Sequence, residues 1–243
     1  MADACAAARD EVDQLLWDRG VRARAAEVAA ESRILGARDS AALEGADVAL
    51  ELLRSGPEDS PLGHSVAAAV LVTAEVPSLV DVWQHSPAQA LARLHAIAAA
   101  GFDDPERLGR PRRDDEVIDP LHIGTPPPAS ELAGRLDALA QVLTRPTRAS
   151  AVLVAAIAHG ELLALRPFRW GSGLVARASV RLVLAGRGVD PDLLSVPEAG
   201  MLSLGRTSYV AALRGYQSGT ADGVIEWVRW NCSAIGFGAQ RSR

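Results

Sequence analysis

Apolar residues recur at three- and four-residue steps along most of this chain, and this spacing constrains its fold more than any other feature. Such steps place apolar side chains on one face of an α-helix, whereas the alternating β-branched runs that mark strands are few. The segment 149–165 is apolar on nearly every side, which is typical of a helix buried in the middle of a core. We therefore predict an all-α protein.

Glycine, proline and capping residues set the predicted helix boundaries. The helices are expected over residues 6–31, 40–53, 66–75, 86–101, 130–143, 149–165, 174–184, 209–216 and 224–230. Gly20 is expected to weaken the first helix, and Pro77 to end the third, because proline lacks the amide hydrogen that continues a helix. Prolines and glycines between 102 and 128 exclude regular helix and predict a loop or a short β-hairpin. Without an internal repeat or a low-complexity linker, we predict an N-terminal helical extension at 1–60 and a core domain at 61–243.

Charge and cysteine content exclude several classes of protein. The chain has 25 basic residues, all of them arginine, and 30 acidic residues, so its formal charge of -5 gives no support for binding to nucleic acid or to a membrane surface. Abundant alanine without lysine suggests a bacterial genome rich in GC. Charges interrupt the apolar runs and the first residues lack a targeting pattern, which predicts a cytoplasmic protein. Cys5 and Cys232 lie far apart, so we predict neither a disulfide framework nor a metal site.

The segment 159–177 combines a buried helix, a turn with a proline, a glycine-rich loop and the start of another helix. The glycines of Gly171-Ser172-Gly173 allow backbone amides to turn toward one point, and the next helix adds its unpaired amides and the positive end of its dipole. Arg177 lies one helical turn beyond Gly173, and its side chain leans back toward the loop. The dipole disfavours a cation there, so we predict an anionic partner for Arg177, either a carboxylate or a phosphate.

Residues 166–177 resemble the signature of the Fic (Fido) family, H-P-F-x-[D/E]-G-N-G-R-x-x-R, without gaps. The matching positions are Pro167, Phe168, Gly171, Gly173 and Arg177. The resemblance implies a Fic-type helical bundle, whose members transfer AMP from a nucleotide, with magnesium, to a hydroxyl group of a target protein. It extends over roughly residues 30–235, because 112–130 resembles the family's flap, which aligns a target segment, and 209–227 resembles its closing helices.

Four positions depart from the signature, and two of them carry the chemistry. Arg166 stands where the family has its catalytic histidine, and Trp170 where it has the acidic magnesium ligand. Ser172 and Leu174 replace the family's asparagine and its first phosphate-binding arginine. Arginine keeps its proton at working pH and cannot act as a general base, and an indole ring offers magnesium no ligand. The resemblance therefore implies a protein that has lost AMP transfer.

An upstream segment resembles the family's inhibitory motif [S/T]-x-x-x-E-[G/N], with Ser40, Glu44 and Gly45 at the motif positions. In the family this glutamate reaches the second arginine of the signature and blocks productive seating of the nucleotide. Ser40 and Glu44 are four residues apart and share one face of a helix. The resemblance implies that Glu44 and Arg177 form such an inhibitory pair.

Each feature also has a plain structural interpretation. Glu44 alone is a common solvated charge on a helix face, the glycine loop is a tight turn between helices, and Arg177 is then an ion-paired arginine at the edge of the core. Arg169 is expected to face solvent, and His159 to be a hydrogen-bonded core histidine about 10 Å from the loop.

Three functions remain open. The first is a Fic-like pseudoenzyme that binds or regulates a protein partner through its flap and cleft. The second is a nucleotidyl or phosphoryl-group transferase that acts on a protein with altered chemistry, and the third is a module that binds a nucleotide without consuming it. No cofactor is predicted with certainty; ATP with magnesium is a ligand only of the second and third. The sequence leaves the oligomeric state and the identity of the partner open.

Overall fold

Helices and irregular loops account for the whole of the described structure. The computed structural model describes residues 1–56 and 59–243, and these residues contain no β-strand. The helices are α1 (Ala2–Trp17), α2 (Arg19–Ala23), α3 (Ala25–Leu43), α4 (Leu50–Ser55), α5 (Pro61–His85), α6 (Pro87–Ala98), α7 (Ala129–Thr144), α8 (Ala151–Leu165), α9 (Ser172–Gly186), α10 (Pro197–Leu204), α11 (Arg206–Gln217) and α12 (Ala221–Gln240). The predicted all-α class is confirmed. The segment 102–128 contains most of the part that resembles the family's flap, and from here on the whole segment is called the flap. It is a loop with one 3-10 turn at Pro105–Arg107, so the hairpin alternative is wrong.

The two helices α8 and α9 form the centre of the molecule. Every residue of α9 from Ser172 to Ala185 is buried, as is most of α8. A helix that is apolar all round has no face to offer to water, and α8 accordingly lies inside a layer of other helices. α5 and α6 pack on α9, while α12 packs on α8. The loop that joins the two central helices is thus held at both ends by the core.

The predicted helix 6–31 is divided near Gly20. α1 ends at Trp17, and the carboxylate of Asp18 accepts a hydrogen bond from the amide of Val21 at 2.9 Å. This is the N-terminal cap of α2, since a side-chain oxygen satisfies an amide that has no partner within the helix. The break is therefore set by the cap before Gly20.

The predicted start of a helix at Ser40 is wrong, because Ser40 lies inside α3. The helix runs on to Leu43 and ends at Glu44. Gly45 follows with a φ of +95°, a conformation that glycine adopts without strain and that commonly ends a helix. The last turn of α3 therefore presents Ser40 and Glu44 on one face, toward the core.

The prediction that Pro77 ends its helix is also wrong, since α5 continues to His85. Proline in a helix costs about 3 kcal/mol. Val76, Leu79 and Trp83 are buried on the face of α5 that continues around the proline. Burying each such side chain contributes roughly 1.5–3 kcal/mol, and together they outweigh the lost hydrogen bond.

By length and composition α5 is the one helix, within 1–56 and 59–243, that is able to cross a membrane. Glu75 and Asp81 lie within α5 and interrupt its apolar run. α5 packs against α3, α6 and α9, and 39% of its apolar window is buried inside the structure.

The helices before residue 60 pack closely on the rest of the molecule. α1 lies along α12, and α3 lies against α5 and α10. The division into 1–60 and 61–243 stays a prediction. Through the packing of α3, residues 40–45 lie beside the first turn of α9.

A buried ion pair joins α9 to α10 and also contacts α3. The guanidinium of Arg181 donates to both carboxylate oxygens of Glu198 at 2.8 to 3.0 Å, and both side chains are only 2% exposed. It also donates to the hydroxyl and carbonyl oxygens of Ser32 and to the carbonyl oxygen of Ser195. All five of its N–H groups thus have acceptors. Gly36 leaves room for this guanidinium, because a Cβ there would overlap with Nη2.

Replacing Gly200 with alanine is expected to lower the free energy of unfolding by about 1–3 kcal/mol. Gly200 lies where α10 crosses α12, and a Cβ there would overlap with the carbonyl group of Ala234. Backbone atoms cannot turn aside as a flexible side chain does, so the two helices must separate. Urea unfolding measures the loss. Gly134→Ala on α7 is the control, because a Cβ there meets nothing within 4 Å and alanine favours helix. Equal effects of the two substitutions would contradict the close crossing.

Candidate functional site

The loop between the two central helices turns the chain sharply. Arg166 follows α8 in the left-handed region with a φ of 44°, and Gly171 precedes α9 with a φ of 75°. The hydroxyl of Ser172 donates to the carbonyl oxygen of Phe168 at 3.0 Å and accepts from the amide of the same residue at 3.2 Å. The ring of Phe168 stacks on His95 with 3.9 Å between centroids. These internal contacts fix the shape of the loop.

Arg112 clamps this loop from the flap. Its amide donates to the carbonyl oxygen of Pro167 at 2.8 Å. Its side chain, which is fully buried, donates to the carbonyl oxygens of Leu165, Arg166 and Pro127 at 2.6 to 3.2 Å. The last carbonyl groups of a helix have no partner within the helix, and a cation there is favoured by the dipole. The sequence indicated only a resemblance of this segment to a flap, and no local pattern signals the clamp.

Arg177 and Glu44 form an ion pair at the start of α9. The Nη2–Oε1 distance is 2.6 Å, with the arginine side chain 0% exposed and the glutamate 13%. Nε of Arg177 also donates to the hydroxyl of Ser40 at 2.8 Å. A Cβ on Gly173 would overlap with the Glu44 carboxylate, which therefore lies against the first turn of α9. The anionic partner of Arg177 is thus a carboxylate, placed where the helix amides and dipole favour an anion.

The structure brings the inhibitory-like segment and the glycine loop together. Ser40 and Glu44 contact Arg177, while Gly45 ends the helix that carries them. Ser172 and Gly173, predicted as loop residues, form the first turn of α9. The plain interpretation of Glu44 as a solvated charge is wrong, because its carboxylate is mostly buried against Arg177.

Arg166 holds the flap against the loop. Its Nη1 donates to Oδ2 of Asp119 at 3.0 Å and to the carbonyl oxygen of Gly124 at 2.5 Å, and the residue is 3% exposed. Burial lowers the pKa of Arg166, and the charge of Asp119 opposes this shift. A guanidinium stays protonated in proteins and offers no lone pair to a substrate proton. Arg166 is therefore a latch, by which we mean its contacts with Asp119 and Gly124, and it cannot act as a base.

Further contacts pin the segment 118–124 of the flap over the cleft. The amide of Ile118 bonds the carbonyl oxygen of Arg169 at 2.7 Å, Arg206 bonds the carbonyl oxygen of Pro120, and Arg214 bonds that of His122 at 2.9 Å. The two arginines lie on α11, 86 and 92 residues from their acceptors. Sequence reasoning missed them because an exposed arginine on a helix carries no sign of a distant loop.

Little space remains beneath the flap. The cavity between the flap, the loop and Glu44 measures about 20 Å³. Pockets that bind small molecules usually measure roughly 300–1,000 Å³. A nucleotide therefore does not fit the cleft while the flap occupies it.

A buried polar chain supports Arg177 from the core. Nδ1 of His159 lies 2.7 Å from Oδ1 of Asn231, and Nε2 lies 2.6 Å from the hydroxyl of Tyr209. The amide group of Asn231 donates to the carbonyl oxygen of Trp227, so its Oδ1 accepts and the proton of neutral His159 is assigned to Nδ1. The hydroxyl of Tyr209 then donates to Nε2 and interacts with the charge of Arg177. The prediction of a hydrogen-bonded core histidine is confirmed.

Stability is expected to fall when the pH drops below about 6.5, because burial lowers the pKa of His159 from 6.5 to about 3. Between these two pKa values the imidazole of the unfolded chain binds a proton and that of the folded chain does not. The free energy of unfolding is therefore highest above pH 6.5 and falls toward pH 3. The loss from this group is about 2 kcal/mol at pH 5. Burial likewise lowers the pKa of His95 to about 4, which adds a loss of the same sign. Urea unfolding at pH 7 and pH 5 measures the difference.

The variant His159→Gln should lack the part of the pH-dependent loss of stability that comes from His159. The variant His85→Gln should keep the full loss. His85 is exposed on α5 and serves as the matched control. An unchanged pH dependence in His159→Gln would show that the buried imidazole does not resist protonation.

The residues at the position where the resemblance places the family's magnesium ligand do not suit that ion. Trp170 stacks on Phe102 with 4.0 Å between ring centroids. Arg169, expected to face solvent, is partly exposed and pairs with Glu116 and Asp103. Over 1–56 and 59–243 no group of three or more histidine, cysteine, aspartate or glutamate side chains is placed to hold a metal ion.

Comparisons with known proteins agree with this architecture. Residues 86–184 match the Fic/DOC family. No curated protein matches the chain in sequence. A Fic family protein from Desulfovibrio desulfuricans G20 superposes with a TM-score of 0.80 at 17% identity, over 98% of this chain and 73% of that one.

Two further solved structures show the same fold. Fic-1 from C. elegans has a TM-score of 0.75 at 19% identity, over 99% of this chain and 71% of its own. A Fic domain containing signaling protein from Bacteroides thetaiotaomicron has a TM-score of 0.71 at 14% identity, over 98% of this chain and 96% of its own. At these identities the likeness concerns the fold alone.

Proposed function

We propose that the protein is a Fic-like pseudoenzyme that has lost AMP transfer and acts by binding a protein partner, because residues 86–184 match the Fic/DOC family. The observation that carries the proposal is the latch. At the position of the catalytic histidine, Arg166 is buried, charged and bonded to Asp119 and Gly124. A group that must accept a proton during transfer is replaced by one that holds the flap closed.

The residues present do not fit ATP with magnesium. The indole ring of Trp170 stands at the position of the family's metal ligand. The carboxylate of Glu44 already lies against the first turn of α9. The remaining cavity of about 20 Å³ is far smaller than a nucleotide. We therefore assign no step of group transfer to this site.

The flap offers the surface on which we propose that the partner docks. Ile118 on the pinned segment is 46% exposed, and it also lines the small cavity beneath the flap. Its amide donates to the carbonyl oxygen of Arg169, which lines a pocket of about 320 Å³ together with mainly charged side chains of residues 103–114. Exposed apolar and arginine side chains next to each other are typical of protein interfaces. We place this interaction in the cytoplasm, with no role for nucleic acid or membrane.

Calorimetric titration with ATP and magnesium, together with mass spectrometry of the incubated protein, tests the loss of transfer. We expect no binding and no added AMP for the wild type, for Glu44→Gly or for Arg166→His. The last variant should stay inactive because Trp170, Ser172 and Leu174 still deprive magnesium and phosphates of their usual ligands. An active Fic enzyme run in parallel is the control. Added AMP in any form would favour the transferase, and binding without turnover would favour the nucleotide-binding module.

A photo-reactive amino acid introduced at position 118 tests the binding surface in cells. We expect a specific covalent adduct with one protein, because this position lies on the flap. The same amino acid at position 71, where the side chain of Leu71 is 55% exposed on α5, is the matched control. Identical adduct patterns at the two positions, or none at 118, would contradict docking on the flap.

A further inference from the structure

Two cysteines that are far apart in sequence meet where α1 packs on α12. Sγ of Cys5 lies 3.5 Å from Sγ of Cys232, and both residues are 4% exposed. Both are free thiols. A disulfide bond joins sulfur atoms about 2.05 Å apart, so a small approach of the two side chains is enough to form one.

We propose that Cys5 and Cys232 form a redox modification site, at which a peroxide converts the two thiols into an intramolecular disulfide. In the first step one thiol sulfur attacks the peroxide, becomes a sulfenic acid and releases one water. In the second step the other thiol attacks the sulfenic sulfur, the S–S bond forms, and a second water leaves. The two thiols together give up two electrons and two protons, which reduce hydrogen peroxide to two waters. A low-molecular-weight thiol reverses the modification by exchange.

The surroundings keep the thiol of Cys232 protonated. Burial, followed by the neighbouring Cys5, raises the pKa of Cys232 to about 12. Whichever thiol reacts first, the other lies in contact with it and resolves the sulfenic acid. Because the sulfurs already contact each other, the second step needs no large movement and competes well with further oxidation.

The cross-link would act on the helix that supports the candidate site. Asn231 lies next to Cys232 on α12 and bonds the imidazole of His159, which in turn contacts Tyr209 beneath Arg177. A bond between residues 5 and 232 closes a loop of nearly the whole described chain, and long loops lose the most unfolded-state entropy. We expect the thermal midpoint of the oxidised protein to rise by roughly 5–10 °C.

Mass spectrometry after alkylation in denaturant tests the proposal on the whole, fully reduced protein. After treatment with hydrogen peroxide we expect both thiols to be lost together, with a monomer lighter by two hydrogens, and to return after treatment with dithiothreitol. The variants Cys5→Ala and Cys232→Ala should form no intramolecular bond and show no rise in thermal midpoint. Persistence of both thiols at peroxide concentrations that oxidise free cysteine, stable oxyacids in the wild type, or disulfide-linked dimers would each overturn the proposal. The readouts on the wild type do not depend on whether either variant folds.

Discussion

Replacing Glu198 with alanine should lower the free energy of unfolding by about 3–5 kcal/mol, more than the loss of an exposed carboxylate costs. The substitution leaves the guanidinium of Arg181 buried and charged, with only Ser32 and the carbonyl oxygen of Ser195 as partners. An unpaired charge in such a site retains the cost of desolvation without the attraction that offsets it. Urea unfolding with a linear extrapolation measures the change.

A matched control for this experiment is Glu226→Ala. Its partner Arg229 is 53% exposed and the glutamate 65% exposed, so water takes over the role of the carboxylate. We expect a loss below about 1 kcal/mol. The double variant Arg181→Met/Glu198→Leu should recover only part of the lost stability, because Ser32 and Ser195 lose the guanidinium that donates to them. If Glu198→Ala and Glu226→Ala were equally mild, the buried pair would not be holding α9 and α10 together.

Replacing Glu44 with alanine should also cost about 3–5 kcal/mol, and it should not produce AMP transfer. The change removes the carboxylate from Arg177, whose side chain is completely buried, and leaves Ser40 as its remaining hydrogen-bond acceptor on α3. Burial by itself lowers the pKa of Arg177, but the interactions with Glu44 and Tyr209 raise this pKa above its ordinary value. In this chain the pair is therefore part of the folded core. Urea unfolding and an auto-adenylylation assay on the same preparation measure both effects.

The control for this second experiment is Glu31→Ala on the same helix. Glu31 pairs with Arg54 at the surface, where the two side chains are 40% and 48% exposed, and we expect a loss below about 1 kcal/mol. The variant Glu44→Ala/Arg177→Leu should be more stable than Glu44→Ala alone, because no charge is left without a partner. A fully stable Glu44→Ala that transfers AMP would mean that Glu44 is an inhibitor and that the chain is an enzyme.

The spacing of apolar residues predicted a helix correctly where the local sequence alone determines it. The central helix at 151–165 followed from apolar spacing, and the start of α6 at Pro87 followed from the preference of proline for the first turn, although Ser86 makes no side-chain cap. Pro77 misled the prediction because a local cost is outweighed by burial that only the assembled core supplies. The sequence resemblance placed Glu44 near Arg177, since a motif carries information about distant partners that periodicity does not.

The remaining contacts of the site were out of reach for the same reason. The sequence indicated that Arg166 is no base, yet nothing in it tells where a buried guanidinium points or that Asp119 accepts from it. In the amino-acid sequence, Arg181 and Glu198 look like ordinary surface charges. Only the packing of three helices makes them a buried pair. Cys5 and Cys232 meet because the first and twelfth helices pack side by side.

If the proposed loss of AMP transfer holds, the latch opposes a return from Arg166 to the histidine of the family signature. A return to histidine would remove two hydrogen bonds from the flap and take the guanidinium away from Asp119. It would still leave the cleft covered by contacts with α11 and the metal position without a carboxylate. Several substitutions would have to arise together before any of them restored chemistry, while the first alone costs stability. On the proposed loss of AMP transfer, the flap contact therefore disfavours a return to an enzyme, because the first substitution lowers stability before any chemistry is regained.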